Sequence, residues 1–193
     1  MSAEPEGGRR PRADSLRNRE QLLETAKAAF SDAGAEVPLE EIARRAGLGI
    51  GTLYRHFPTR DALLTAVYRR EVDQLSASAD SLLETRPPAQ ALEAWLRLLV
   101  DYMATKRVIA PALRTGSADA TQAYASSGAA ITGALGKLAA AALASGEIRP
   151  DVTPDDLTRA IFGISHGYDQ PGWEPSARRL VGIIMAGLRR AQP

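Results

Sequence analysis

Two short apolar stripes of helical period flank a Gly-Leu-Gly turn in LEEIARRAGLGIGTLYRHF, residues 39–57. Upstream, Leu39, Ile42, Ala43 and Ala46 recur at i, i+3, i+4 and i+7, and Glu40 and Glu41 occupy the first turn, where the helix dipole favours acids. Downstream, Ile50, Leu53 and Phe57 fall at i, i+3 and i+7, one stripe expected to face inward, and Pro58 stops the helix. Gly47 suits the left-handed terminator of the first helix, Leu48 is an apolar plug between the two, and Gly49 opens the second. The pattern dictates helix, tight turn, helix.

The alternation of Gly47, Gly49 and Gly51 also invites comparison with a phosphate-cradling loop. A dinucleotide fingerprint needs G-x-G-x-x-G after a buried strand, whereas here the spacing is G-x-G-x-G and LEEIARRA has helical period. A P-loop needs lysine and then serine or threonine after its last glycine, but Gly51 is followed by Thr52 and Leu53. Context excludes the nucleotide loop.

The same period runs through the rest of the chain, and no useful β-alternation appears, so the fold class is all-α. Ser15 is positioned to cap a first helix with Leu22, Leu23, Ala26, Phe30 and Ala33 inward, ending at Gly34. Thr59 caps a long helix reaching about residue 85, some 35–40 Å at 1.5 Å per residue, long enough to join two lobes. Further helices are expected over 89–105, with a short segment around Pro111, then over 118–144, 153–168 and 175–190. The implied domains are a disordered basic tail (1–14), a helix-turn-helix domain (15–60) and a helical effector-binding and dimerisation domain (61–193).

Several function classes drop out. The chain has no cysteine and two histidines, His56 and His166, without companions at metal-ligand spacing, so no metal or cofactor is expected. No nucleophile–base pair and no positioned carboxylate pair supports an enzyme. The N-terminus lacks an apolar signal core, and the alanine-rich run 129–144 is interrupted by Gly133, Gly136 and Lys137. It therefore reads as a helix of a soluble, cytoplasmic protein with no membrane partner.

In the second short helix, Thr52, Arg55, His56 and Thr59 share the side opposite the apolar stripe, with Tyr54 flanking. These groups suit phosphates and base edges, and Gly51 lets backbone approach DNA closely. Residue types alone describe a solvated face equally well; the helix-turn-helix spacing tips the reading to DNA. Residues 20–68 resemble the DNA-binding domain of the tetracycline-repressor (TetR) family, through Phe30 and Gly34, then EIARRAG, then GTLYRHFPTRDALL. The resemblance implies DNA contacts by Thr52, Tyr54 and His56 with Arg55 nearby, and a phosphate contact by Arg60 at the start of the long helix. Tyr54 as a packing residue is the alternative. Two departures stand out. Gly49 replaces a frequent capping serine, and Ile50 a frequent basic or polar residue. Affinity is then expected to lean on Arg55, Arg60 and the arginines from Arg9 to Arg19.

One module reads too few bases, so a homodimer on a double-stranded operator is expected. Gly163 and Gly167 lie four apart, as do Gly182 and Ala186, leaving small-residue strips on the last two helices. Ile161, Ile164, Leu180, Ile183, Ile184 and Leu188 are candidates for the interface, with an internal core strip as the alternative. The resemblance further implies a small-molecule effector pocket. Candidates are Trp95, Leu99, Tyr102, Met103, Tyr124, Phe162 and His166, each of which could equally be core. The reading is a bacterial transcriptional regulator, a repressor released by its effector; a DNA-binding regulator without an effector is the second possibility.

Overall fold

The computed structural model describes residues 10–164 and 172–190, including no side chain before Ala13 and neither that of Phe162 nor that of Ile164. Among the described residues eight helices follow one another: α1 (Arg10–Ala33), α2 (Leu39–Arg45), α3 (Ile50–His56), α4 (Arg60–Thr85), α5 (Pro88–Thr115), α6 (Ala118–Ala144), α7 (Pro154–Ile164) and α8 (Trp173–Leu188). No strand is named among the described residues; Ile148 and Arg189 make one isolated bridge.

α1 begins at Arg10, so Ser15 lies inside the helix and residues 10–14 are not a tail. Pro11 falls in the first turn, where its missing N–H has no partner to lose. The expected break near Pro111 is also absent, since α5 runs through it. A mid-helix proline costs about 3 kcal/mol, but Ile109, Ala110 and Leu113 are buried on either side and hold the segment against the core. α8 starts two residues before Pro175, again a first-turn proline, with Gly172 left-handed at the N-cap.

The other boundaries follow local chemistry. Thr59 caps α4 by accepting from the Ala62 N–H, and Ser117 caps α6 by accepting from the Ala120 N–H. Gly34, Gly47 and Gly146 take positive φ where α1, α2 and α6 end.

α4, α5 and α6 pack against one another at the centre, α8 lies on α5, and α7 on α6. One continuous core runs from Leu22 in α1 to Leu188 in α8. α6 is long and apolar enough to cross a membrane by length and composition. Its Ala123, Ile131, Leu135, Leu138 and Ala142 are buried in this core, which accounts for its apolarity.

α1 and α4 are tied by charge as well as by packing. Glu71 is buried and pairs with Lys27 at 2.7 Å, while Arg70 donates to Glu20 and Glu24, each at 2.6 Å. α4 is thereby tied to α1 near its middle and packs in the central core with α5 and α6.

Candidate nucleic-acid interface

The turn between α2 and α3 is a Schellman terminator. Gly47 has φ +66°, its N–H donates to Arg44 O at 3.1 Å, and the Leu48 N–H donates to Ala43 O at 3.0 Å. Leu48 packs against the core, and Gln21 of α1 donates from Nε2 to Ala46 O at 2.7 Å, fixing the turn onto α1. Gly49 is the N-cap of α3 and offers no side-chain acceptor.

α3 has two unlike faces. Leu53 and Phe57 are fully buried. Tyr54 is 44 % exposed, Arg55 is exposed, and Thr52 and His56 are half-buried. The Arg55 guanidinium lies along its own helix, donating to Thr52 Oγ1 at 2.9 Å and Gly51 O at 3.2 Å. Gly51 is exposed, and a Cβ there would meet nothing within 4 Å. The fold itself thus makes no demand for glycine at a position where alanine would favour the helix by about 1 kcal/mol.

Three placements differ from expectation or add to it. Ile50 is 36 % exposed and does not join the buried stripe of Leu53 and Phe57. Arg60 is half-buried: its Nη1 donates to Ala35 O and Val37 O, each at 2.8 Å, so it holds the α1–α2 loop. Arg19 of α1 sets its guanidinium 5.2 Å from the Phe57 ring, placing a cation beside the end of α3. On α2, hydrogen bonds from Arg44 and then Arg45 hold the Glu41 carboxyl at about 2.

Arg60→Ala removes two charge-assisted bonds and orphans two carbonyls, and is expected to cost about 2 kcal/mol of stability. The slope of log K against log[salt] for DNA is expected to stay the same. A slope reduced by about 1 per subunit, with stability intact, would return Arg60 to the phosphate backbone.

The start of α4 is also joined to the α5–α6 junction. Asp61 Oδ2 accepts from the Ser117 N–H at 2.9 Å. A Cβ on Gly116 would lie 3.0 Å from that oxygen and 2.9 Å from Ala112 O, so the close approach needs glycine.

The effector candidates separate. Trp95 is core, fully buried with Nε1 donating to Leu75 O at 2.8 Å. Leu99 and Met103 line a gap of about 10 Å³ with Leu96, Ile161, Trp173 and Val181, too small for an organic ligand. Tyr102 and Tyr124 join a cluster with Tyr68, Ser127 and Lys106, three residues that periodicity did not single out. Tyr68 lies 2.9 Å from Tyr102 between hydroxyls and donates to Ser127 Oγ at 2.7 Å; Tyr68 and Tyr124 stack with centroids 6.0 Å apart. Burial raises the Tyr68 and Tyr102 hydroxyl pKa values. The Phe162 side chain and His166 lie outside the described residues.

The dimer candidates separate likewise. Leu180 (38 %), Ile183 (66 %) and Ala186 are exposed on α8 and Gly163 is exposed on α7, while Ile184 and Gly182 are half-buried. Leu188 and Ile161 are not surface residues: both are buried in the chain's own core, the inward alternative for a helix apolar on two sides. The Ile164 side chain and Gly167 lie outside the described residues.

Comparison with known proteins matches both lobes. Residues 22–67 match the model of bacterial regulatory proteins of the tetR family, and residues 87–190 match the C-terminal domain of SbtR-like transcriptional regulators. The crystal structure of the TetR transcriptional regulator SCO0520 from Streptomyces coelicolor is 42 % identical, with 90 % of this chain and 99 % of that chain covered and a TM-score of 0.78. The corresponding values for a TetR regulatory protein from Mycobacterium vanbaalenii are 36 %, 93 %, 99 % and 0.77. A Staphylococcus aureus HTH-type transcriptional regulator is 38 % identical over 63 residues, 32 % of this chain and 34 % of that protein, so the chain spans about a third of this curated relative.

Proposed function

The chain belongs to the tetR family of bacterial regulatory proteins, and from that premise we propose that it is a cytoplasmic homodimeric repressor released from its operator by a small molecule. It is a DNA-binding helix-turn-helix regulator and not an enzyme. One observation carries the DNA reading: α3 buries Leu53 and Phe57 and turns Tyr54, Arg55 and Gly51 to solvent, with Thr52 and His56 half-buried beside them. Gly51 gains a purpose here, since a duplex pressed against α3 supplies the close neighbour that the protein lacks.

Dimerisation is supported by the uncovered apolar residues Leu180 and Ile183 on α8, beside the small residues Gly182 and Ala186. Two copies place two α3 helices in successive major grooves. Effector control is supported by the linkage between lobes. The gap beside Leu99 and Met103 must open to admit a ligand, and opening shifts α5 against its neighbours. The Asp61–Ser117 bond and the close fit of Gly116 carry a shift of the α5–α6 junction to the start of α4, which follows α3. A ligand that favours the shifted form lowers operator affinity by its differential binding to the two forms.

Selection of bound sequences from random duplex DNA, followed by footprinting, tests this reading. The expected result is a symmetric site with half-sites about one helical turn or a multiple apart. An asymmetric site, or no enrichment, would overturn it.

Ile50 adds a sharper expectation. At the start of α3 it offers an apolar group to the groove, and the thymine 5-methyl is the matching partner. Replacing the contacted thymine by deoxyuridine removes one methyl, about 0.8 kcal/mol or fourfold in each half-site and about fifteenfold in a symmetric operator. Ile50→Ala is expected to erase this sensitivity. Equal loss in both proteins would show that Ile50 makes no such contact.

A further inference from the structure

Lys106 is a cation set against two aromatic rings. It is half-buried on α5, its Nζ 5.0 Å from the centroid of Tyr124 and 5.9 Å from that of Tyr102, with no acid in ion-pair distance among the described residues. Four acids of the surrounding helices are paired elsewhere: Glu71 with Lys27, Asp119 with Arg69, Asp80 with Lys137 and Asp101 with Arg178. Burial lowers the Lys106 pKa, and ring faces attract the ammonium without neutralising it.

The hydroxyl protons of Tyr68, Tyr102 and Ser127 cannot serve a ligand in its place. Ser127 Oγ donates to Tyr124 O at 2.8 Å, and Tyr68 donates to Ser127. The Tyr102 proton is then the one that fills the Tyr68–Tyr102 bond. Every hydroxyl proton of Tyr68, Tyr102 and Ser127 is used, so the ammonium, with Tyr124 beside it, is what this cluster offers an anion.

Helical spacing says where the rest of a ligand would lie. Leu99, Met103 and Lys106 fall at i, i+4 and i+7 along α5, on one face. Leu99 and Met103 line the closed apolar gap, and Lys106 sits one turn beyond it. We propose that the effector is an apolar organic monoanion, a hydrophobic carboxylic acid in the simplest case, whose acid group docks on Lys106 while its body opens the gap beside Leu99 and Met103. A single ammonium with no arginine fork suits one negative charge better than a phosphate. The signal has a short route, because Tyr68 of α4 is bonded to the rings on which Lys106 rests. The inference rests on the ligand-responsive reading and adds the chemistry and the anchor.

Titration calorimetry with decanoate and 2-naphthoate, each beside its neutral amide, tests it. The wild-type chain is expected to bind at least one acid about tenfold more tightly than its amide. Lys106→Met is expected to abolish that preference while keeping amide binding, and Lys106→Arg to keep the preference. Equal binding of acids and amides by the wild type, or an acid preference that survives Lys106→Met, would overturn the assignment but leave a ligand-responsive protein. Loss of amide binding in Lys106→Met and Lys106→Arg alike would make Lys106 a packing residue and overturn it too. If neither acids nor amides bind, the anion site and the effector reading fall together. Gel shifts on the same samples report separately on DNA binding.

Discussion

Tyr54→Ala is expected to lower operator affinity by roughly 10²- to 10³-fold while moving stability by no more than about 1 kcal/mol. The ring is 44 % exposed, and no hydrogen bond joins its hydroxyl to the described residues, so the fold loses little. A direct contact at a base edge or phosphate is worth about 1–3 kcal/mol. In a symmetric dimer the substitution enters once per half-site, so about 1.5–2 kcal/mol per contact becomes about 3–4 kcal/mol overall. Fluorescence anisotropy on the selected operator, with a melting curve on the same sample, measures both quantities. Near-wild-type binding would make Tyr54 a packing residue; parallel loss of binding and stability would say the same.

The second large effect concerns the frame that holds α3. Lys27→Met leaves Glu71 buried, with Arg70 Nη1 at 3.7 Å as its remaining cationic neighbour. Removing one partner of a buried ion pair costs about 3–5 kcal/mol, and the lower end applies here because the Lys27 side chain is 34 % exposed. For a chain of this size a loss of about 3 kcal/mol lowers the melting temperature by roughly 6–12 °C. Adding Glu71→Leu is expected to recover most of it, since the cost lies in the stranded charge more than in the lost attraction. A single variant as stable as the wild type, or a double variant no better than the single, would contradict the assignment. Because Lys27 and Glu71 join α1 to α4, the single variant is also expected to weaken operator binding more at 37 °C than at 10 °C.

What the sequence made legible is what short-range chemistry decides. The α2–α3 turn was readable because a terminator glycine, an apolar plug and two stripes lie within 19 residues, and Gly47 does take positive φ. The cap at Thr59 acts over three residues and leaves the same kind of mark. The placements that went astray involve partners distant in the chain. Arg60 looked like a phosphate ligand, but its acceptors are loop carbonyls 23 and 25 residues earlier. Ile50 kept the right spacing but stays 36 % exposed at the start of α3. Leu188 and Ile161 belong to helices apolar on two sides, and periodicity cannot say which side faces a partner. The Tyr68–Tyr102–Ser127 chain gathers residues from α4, α5 and α6, with Tyr68 and Ser127 59 residues apart. No local pattern marks it.

The central claim is that the exposed face of α3, presented twice, reads one DNA sequence. Its most direct measurement is the affinity of the purified chain for the selected symmetric duplex and for a scrambled duplex of equal length and composition, at one fixed salt concentration near 0.15 M. Specific recognition by paired helix-turn-helix modules is expected to favour the selected site by about 10³-fold or more, with two chains bound per duplex. Equal affinity for both duplexes, falling together as salt rises, would mean that only the phosphate backbone is bound, and would contradict the account.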